Sequence, residues 1–178
     1  QSGTDAVNEL VRAILQDEPL RMRRLAGIFH IDIASIHELW LFCGTDAGKV
    51  KKHMKEYCEL MRQYADTVFG AVFEGIPVMC LSTPHSQRET EKVMMGVIAD
   101  MRAVWPDTVI VRCCGLNNTT DCRRAYLTVL DALEDVRNIF PDRCLVLQGE
   151  LEFAAECRKL IDGGEDAAMR SLAPLTAL

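Results

Sequence analysis

The sequence predicts an α+β protein of ferredoxin-like type: a βαββαβ sheet with helices on one face, framed by an N-terminal helical pair and by C-terminal helices. Three observations predict it. Leu39-Trp40-Leu41-Phe42-Cys43 is an unbroken apolar run of strand length, as expected where a strand is covered on both faces. Two apolar runs, Val68 to Phe73 and Ile76 to Leu81, flank Glu74-Gly75 and read as a hairpin. Stretches with helical spacing of apolar residues separate these runs from one another and from a further strand at Thr108 to Cys114.

The elements follow in order. Val7, Leu10, Val11, Ile14 and Leu15 recur at helical spacing. Asp17-Glu18-Pro19 interrupts them, and Pro19 suits the first turn of a second helix reaching about Phe29. The strand Ile36 to Cys43 ends at Gly44-Thr45-Asp46, a helix-capping segment. The helix Ala47 to Asp66 carries Val50, Met54, Cys58 and Met61 on one stripe. In the hairpin that follows, Pro77 is compatible with a strand start or an edge.

Ser86-x-x-Glu89 fits a capping box for a helix from Gln87 to Trp105, which Pro106 ends. After the strand at Thr108, Thr119 or Thr120 caps a helix to about Asn138. Cys144 to Leu147 is a short last strand. A helix from Glu150 to Asp162 stops at Gly163-Gly164, and Asp166 to Leu175 forms one more. The chain thus divides into an N-terminal helical segment (1–33), an α/β core (34–148) and C-terminal helices (149–178).

With 178 residues, 49% of them hydrophobic and 26% charged, the chain can bury a core without covalent staples. No apolar run approaches the roughly 20 residues of a membrane helix. The first five residues lack the pattern of a secretory signal. The eight cysteines show no C-x-x-C and no zinc-ligand spacing with histidine, and most fall on apolar positions, which points to a reducing cytoplasm. The net charge of −6 argues against nucleic-acid binding by this segment. The basic clusters at Arg21, Arg23, Arg24 and at Lys49, Lys51, Lys52, Lys55 read as solvated helix faces.

Three stretches carry a family resemblance. Leu10 to Asp17, followed by Leu25-Ala26-Gly27-Ile28-Phe29-His30-Ile31-Asp32, resembles an "L-L-x-x-L-L-x-G-D … L-A-x-x-L-G-I-D" opening. The Val72-Phe73-Glu74-Gly75 turn is similar to a "G-x-x-x-G-x-L-V-x-L" hairpin. Cys122 to Leu133 resembles "L-R-x-S-Y-x-E-A-x-x-A-L", and it precedes Phe140-Pro141-Asp142-Arg143 and, later, Leu172-Ala173-Pro174-Leu175. In this order they resemble the GGDEF-like middle domain of the CdaR/PucR family of bacterial transcription regulators, the regulators of sugar diacid and purine catabolism. The resemblance implies a nucleotide-cyclase-like core, a sensing region upstream, and a helix-turn-helix region beyond Leu178.

Cyclase chemistry on such a core needs carboxylates that hold a divalent metal against phosphate oxygens. Here the hairpin offers Glu74 and Gly75 and the first strand end offers Asp46, while the GGDEF signature itself is absent. Asp46 and Glu74 are therefore the candidate metal pair; the alternative is that Asp46 caps a helix and Glu74 sits in an exposed turn. No P-loop, G-x-G-x-x-G, H-E-x-x-H or G-x-S-x-G occurs. Cys80 and His85 could form a nucleophile only if assembled in space. Asn117, Asn118, Thr119 and Thr120 follow a strand and form a candidate ligand loop, with ordinary helix capping as the alternative.

The sequence reading is a non-enzymatic signalling and dimerisation domain without cofactor. It is expected to be cytoplasmic and homodimeric, with no membrane contact and with DNA reached only through a region beyond this chain. The alternative is a small-molecule or nucleotide-binding domain with a degenerate cyclase-like site.

Overall fold

A computed structural model describes residues 3–44, 47–82, 87–139 and 142–176. It shows an α+β fold of six α-helices and a five-stranded mixed sheet. Helices α1 (Gly3–Leu15) and α2 (Pro19–Phe29) come first. Then follow β1 (Glu38–Cys43), α3 (Ala47–Met61), β2 (Thr67–Phe73), β3 (Ile76–Ser82), α4 (Gln87–Val104) and β4 (Val109–Cys113). Helix α5 (Thr119–Ile139), the short strand β5 (Leu145–Leu147) and α6 (Gln148–Thr176) complete the order. The strands lie as β2-β3-β1-β4-β5; every neighbouring pair is antiparallel except β4 and β5, which are parallel. This is consistent with a ferredoxin-like fold extended by a fifth strand.

Strand β1 has neighbours on both sides and helices above and below, and all six of its residues are buried. Side chains alternate across a strand, so two separate cores form. Trp40 and Phe42 pack with Met54, Met61, Met94 and Met101 of α3 and α4. Leu39 and Leu41 face the other way, into a cluster with Leu10 and Ile14 of α1 and Tyr126 and Val129 of α5. The two long helices α3 and α4 therefore share one face, as the split pattern requires. The opposite face is not solvent: α1, α2 and α5 cover it.

Local rules explain most boundaries. Pro19 occupies the first turn of α2, where its missing N–H costs nothing. Glu74 and Gly75 both adopt positive φ, 48° and 80°, the two-residue turn that matches the twist of a hairpin. Pro77 lies in an interior strand. It is accommodated because the β1–β3 ladder begins at Val78, so Pro77 pairs only with Val72 of β2.

Two expectations are corrected. The C-terminal segment is one helix, not two: α6 passes through Gly163 and Gly164, since glycine weakens a helix interior by only about 1 kcal/mol and added Cβ atoms there would meet nothing. The cap of α5 is Asn118, not Thr119 or Thr120, because the helix begins at Thr119 itself and the Asn118 side chain accepts the Asp121 amide. The capping box at Ser86 lies outside the described residues.

No helix among the described residues is long and apolar enough to cross a membrane.

Gly70 tests the packing between β2 and α3. A Cβ there would stand 2.7 Å from Met54 Sδ, 3.1 Å from Cys58 Sγ and 3.1 Å from the Val78 carbonyl oxygen. Gly70→Val is expected to destabilise the fold by about 1–3 kcal/mol, read as a lower urea midpoint with unchanged slope.

Candidate functional site

The sequence-derived candidates separate in space and in role. Asp46 lies outside the described residues. Glu74 sits at the tip of the β2–β3 turn, where its carboxylate accepts the hydroxyl of Tyr126 at 3.2 Å. Burial, and then the adjacent Glu74 charge, raise the Tyr126 hydroxyl above the ordinary tyrosine range, so it remains a donor. This contact ties the hairpin tip to α5. Among the described residues no group of three or more His, Cys, Asp or Glu side chains is placed to hold a metal ion.

The loop at Asn117 to Thr120 is occupied by helix capping. The Asn118 side-chain oxygen accepts the Asp121 amide at 2.9 Å, and the Asp121 carboxylate accepts the Asn117 amide at 2.9 Å. Asn118 thereby caps α5, while Asp121 holds the amide one residue before the cap. These contacts engage the side chain of Asn118 and the backbone amide of Asn117.

Cys80 is fully buried, and burial holds its thiol well above the ordinary range; such a thiol is inert as a nucleophile. His85, its suggested partner, lies outside the described residues.

Sequence reasoning missed the most polar part of the interior. Glu38 at the head of β1 and Arg112 in β4 are both nearly inaccessible, at 2% and 3%. Arg112 Nε donates to Glu38 Oε1, and the indole N–H of Trp40 donates to the same oxygen at 2.7 Å. The β1–β4 register places Trp40 directly opposite Arg112, which aligns all three groups. Arg112 Nη1 reaches Glu91 of α4 at 3.6 Å but makes no hydrogen bond. The available signal was one acid and one base inside otherwise apolar runs, Glu38 before Leu39 and Arg112 within Val109-Ile110-Val111-Arg112-Cys113.

Cys114 follows this pair and is exposed. Desolvation is the largest influence on its thiol, followed by the Glu38 charge, and the thiol is pushed up to about 11. At neutral pH it is therefore protonated, and this constellation lacks the thiolate that nucleophilic catalysis requires.

A cavity opens beside these residues. Because β4 and β5 are parallel, both end on the same side of the sheet, where α5 and α6 begin. The space between them has a volume of about 430 Å³. Gly115 and Leu116 after β4, Arg124 and Ala125 of α5, and Gly149 and Glu152 of α6 form much of its wall. The ligand loop expected at Asn117 to Thr120 is thus flanked by cavity residues on both sides, Leu116 before it and Asp121 after it.

At the root of α6, the Glu150 carboxylate accepts the Leu147 amide at 2.9 Å and a two-oxygen contact from Arg143. Partial burial would raise its pKa, but the Leu147 amide and the Arg143 guanidinium outweigh that and hold it below the ordinary carboxylate range.

Comparison with models of known protein families and with curated protein sequences finds no match.

Two predictions follow from the buried pair. Arg112→Met leaves the Glu38 charge buried without compensation and is expected to cost about 3–5 kcal/mol in denaturant unfolding. Adding Glu38→Gln removes that charge while keeping an acceptor for Trp40, so the double variant recovers most of the loss. Cys114 is expected to be alkylated slowly at neutral pH in the native protein. Its labelling rate rises about tenfold per pH unit while the pH stays below its raised pKa, as followed by mass spectrometry.

Proposed function

We propose that this chain is a non-catalytic dimerisation and relay domain of a transcription regulator. The observation that carries the reading is α6. This helix has 29 residues and so is roughly 43 Å long. Leu151 and Ala154 anchor its start on the domain, but every residue from Arg158 to Gly164 is exposed. Phe153, Leu160 and Ile161 present apolar side chains to solvent at 72%, 71% and 65% exposure.

An α-helix places residues 153, 157, 160 and 161 on one side, because positions three and four apart are neighbours. A helix that extends beyond its own domain and contains two consecutive glycines gains little from propensity. A second copy supplies the missing cover: the same stripe on two chains related by a two-fold axis is apolar against apolar. The resemblance to the GGDEF-like middle domain of the CdaR/PucR family supports the regulatory part of the reading. A dimer seam along α6 would couple the state of the sheet domain to whatever the helix leads into.

Light scattering tests the proposal. The chain is expected to sediment and scatter as a dimer at micromolar concentration. Leu160→Glu, an exposed position whose change leaves the fold intact, is expected to give a monomer with unchanged circular dichroism. A strictly monomeric parent chain would overturn the dimerisation reading.

A further inference from the structure

We propose that the cavity at the ends of β4 and β5 binds a small zwitterion, an α-amino acid with a short apolar side chain. The site is independent of α6 pairing: it lies within one chain, at the root of that helix rather than along its exposed stripe.

Position, size and charge all bear on the ligand. Ligands of open α/β sheets lodge outside the carboxyl ends of parallel strands, where helices begin. Here the one parallel pair, β4 and β5, ends at the cavity, and the first turns of α5 and α6 stand beside it. A volume of about 430 Å³ is in the range of small-molecule sites.

The wall carries both signs of charge. Arg112 and Arg124 are its cations, and Asp121 and Glu152 its anions. Asp121 already holds the Asn117 amide. Arg112 is bound to Glu38 through Nε, yet its Nη1 is buried without a hydrogen-bond partner, an unmet donor in a residue of this wall. A ligand carboxylate set between Arg124 and the amide ends of the α6 first turn answers this positive side. Glu152 accepts a neutral amide, from Gln148 at 3.2 Å, and can take an ammonium group.

The backbone permits close approach. Gly115 and Gly149 both line the cavity, and a Cβ added to either would meet nothing within 4 Å. Leu116, Ala125 and Leu147 supply the apolar wall for a short side chain. A mono-anion would meet like charge at Glu152, and a simple amine would meet like charge at the two arginines. The zwitterion satisfies both.

The test is thermal unfolding and calorimetry of the whole chain with each standard L-amino acid at millimolar concentration. Each is compared with its analogues lacking either the ammonium or the carboxylate. One or a few amino acids with short apolar side chains are expected to raise Tm, and neither analogue is. Gly149→Phe points a ring into the open space of the cavity and is expected to abolish the shift. Glu152→Gln, at an exposed helix position, is expected to weaken binding about tenfold. If no amino acid shifts Tm, if the analogues shift it equally, or if Glu152→Gln binds with full affinity, the proposal is wrong. Scattering mass is recorded in the same samples, so loss of binding and loss of dimer are read separately.

Discussion

Strand β1 carries the heaviest constraint in this molecule. It is hydrogen-bonded to β3 on one side and β4 on the other, and helices cover both of its faces. Nothing on it can turn to water, so each residue must be apolar or bring its own partner. Five of its six residues solve this as hydrophobes. The sixth, Glu38, solves it through Arg112 and the Trp40 indole. Removing water from both charges costs several kcal/mol per ion, which their mutual attraction and the added hydrogen bond must offset. Such a pair adds little net stability over a hydrophobic equivalent, but it is intolerant of a register slip. Moving β4 by one residue along β1 would turn Arg112 to the opposite face and strand both charges.

That register fixes what lies downstream. With Arg112 opposite Trp40, Cys113 points into the α1 and α5 core, and the chain leaves the sheet at Cys114 and Gly115. The Asn118 cap then starts α5 at once, and α5 carries the chain back along the sheet so that β5 runs parallel to β4. The parallel pair is the one departure from an antiparallel sheet, and it is what brings two helix starts to one edge. The cavity follows from topology before any side chain is considered.

Much of this was legible from the residues. Covered strands announce themselves by unbroken apolar runs, and Leu39 to Cys43 did so. The Glu74-Gly75 hairpin and Pro19 were readable because each rests on one backbone rule. The covering of the sheet's second face by α1 and α5 was not, because an amphipathic helix shows that it has a buried side without showing what that side meets. The α6 boundary was misread at Gly163-Gly164 for a similar reason: glycine there is equally compatible with a helix end and with a helix that tolerates a weak point. The Glu38–Arg112 pair was invisible because its partners are 74 residues apart and only strand pairing brings them together. The candidate loop at Asn117 to Thr120 lies beside the cavity; its Asn118 side chain caps α5, and the open space is framed by glycines and by helix starts.

The Glu74–Tyr126 contact shows how a turn acid can fasten a hairpin to a helix. In a hairpin that approaches a nucleotide, the turn acid must face outward with free oxygens. Here the acid accepts a hydroxyl from α5, and Tyr126 packs edge-on against Phe73 with ring centroids 5.2 Å apart. Both contacts hold the turn against the helix on the α1–α5 side of the sheet. An acid used as a fastener between hairpin and helix is less available to a metal, because each coordination bond would compete with a donor already in place. The same helix α5 that the tyrosine fastens to the hairpin also contributes Arg124 and Ala125 to the cavity. One helix therefore contacts both the hairpin turn and α6.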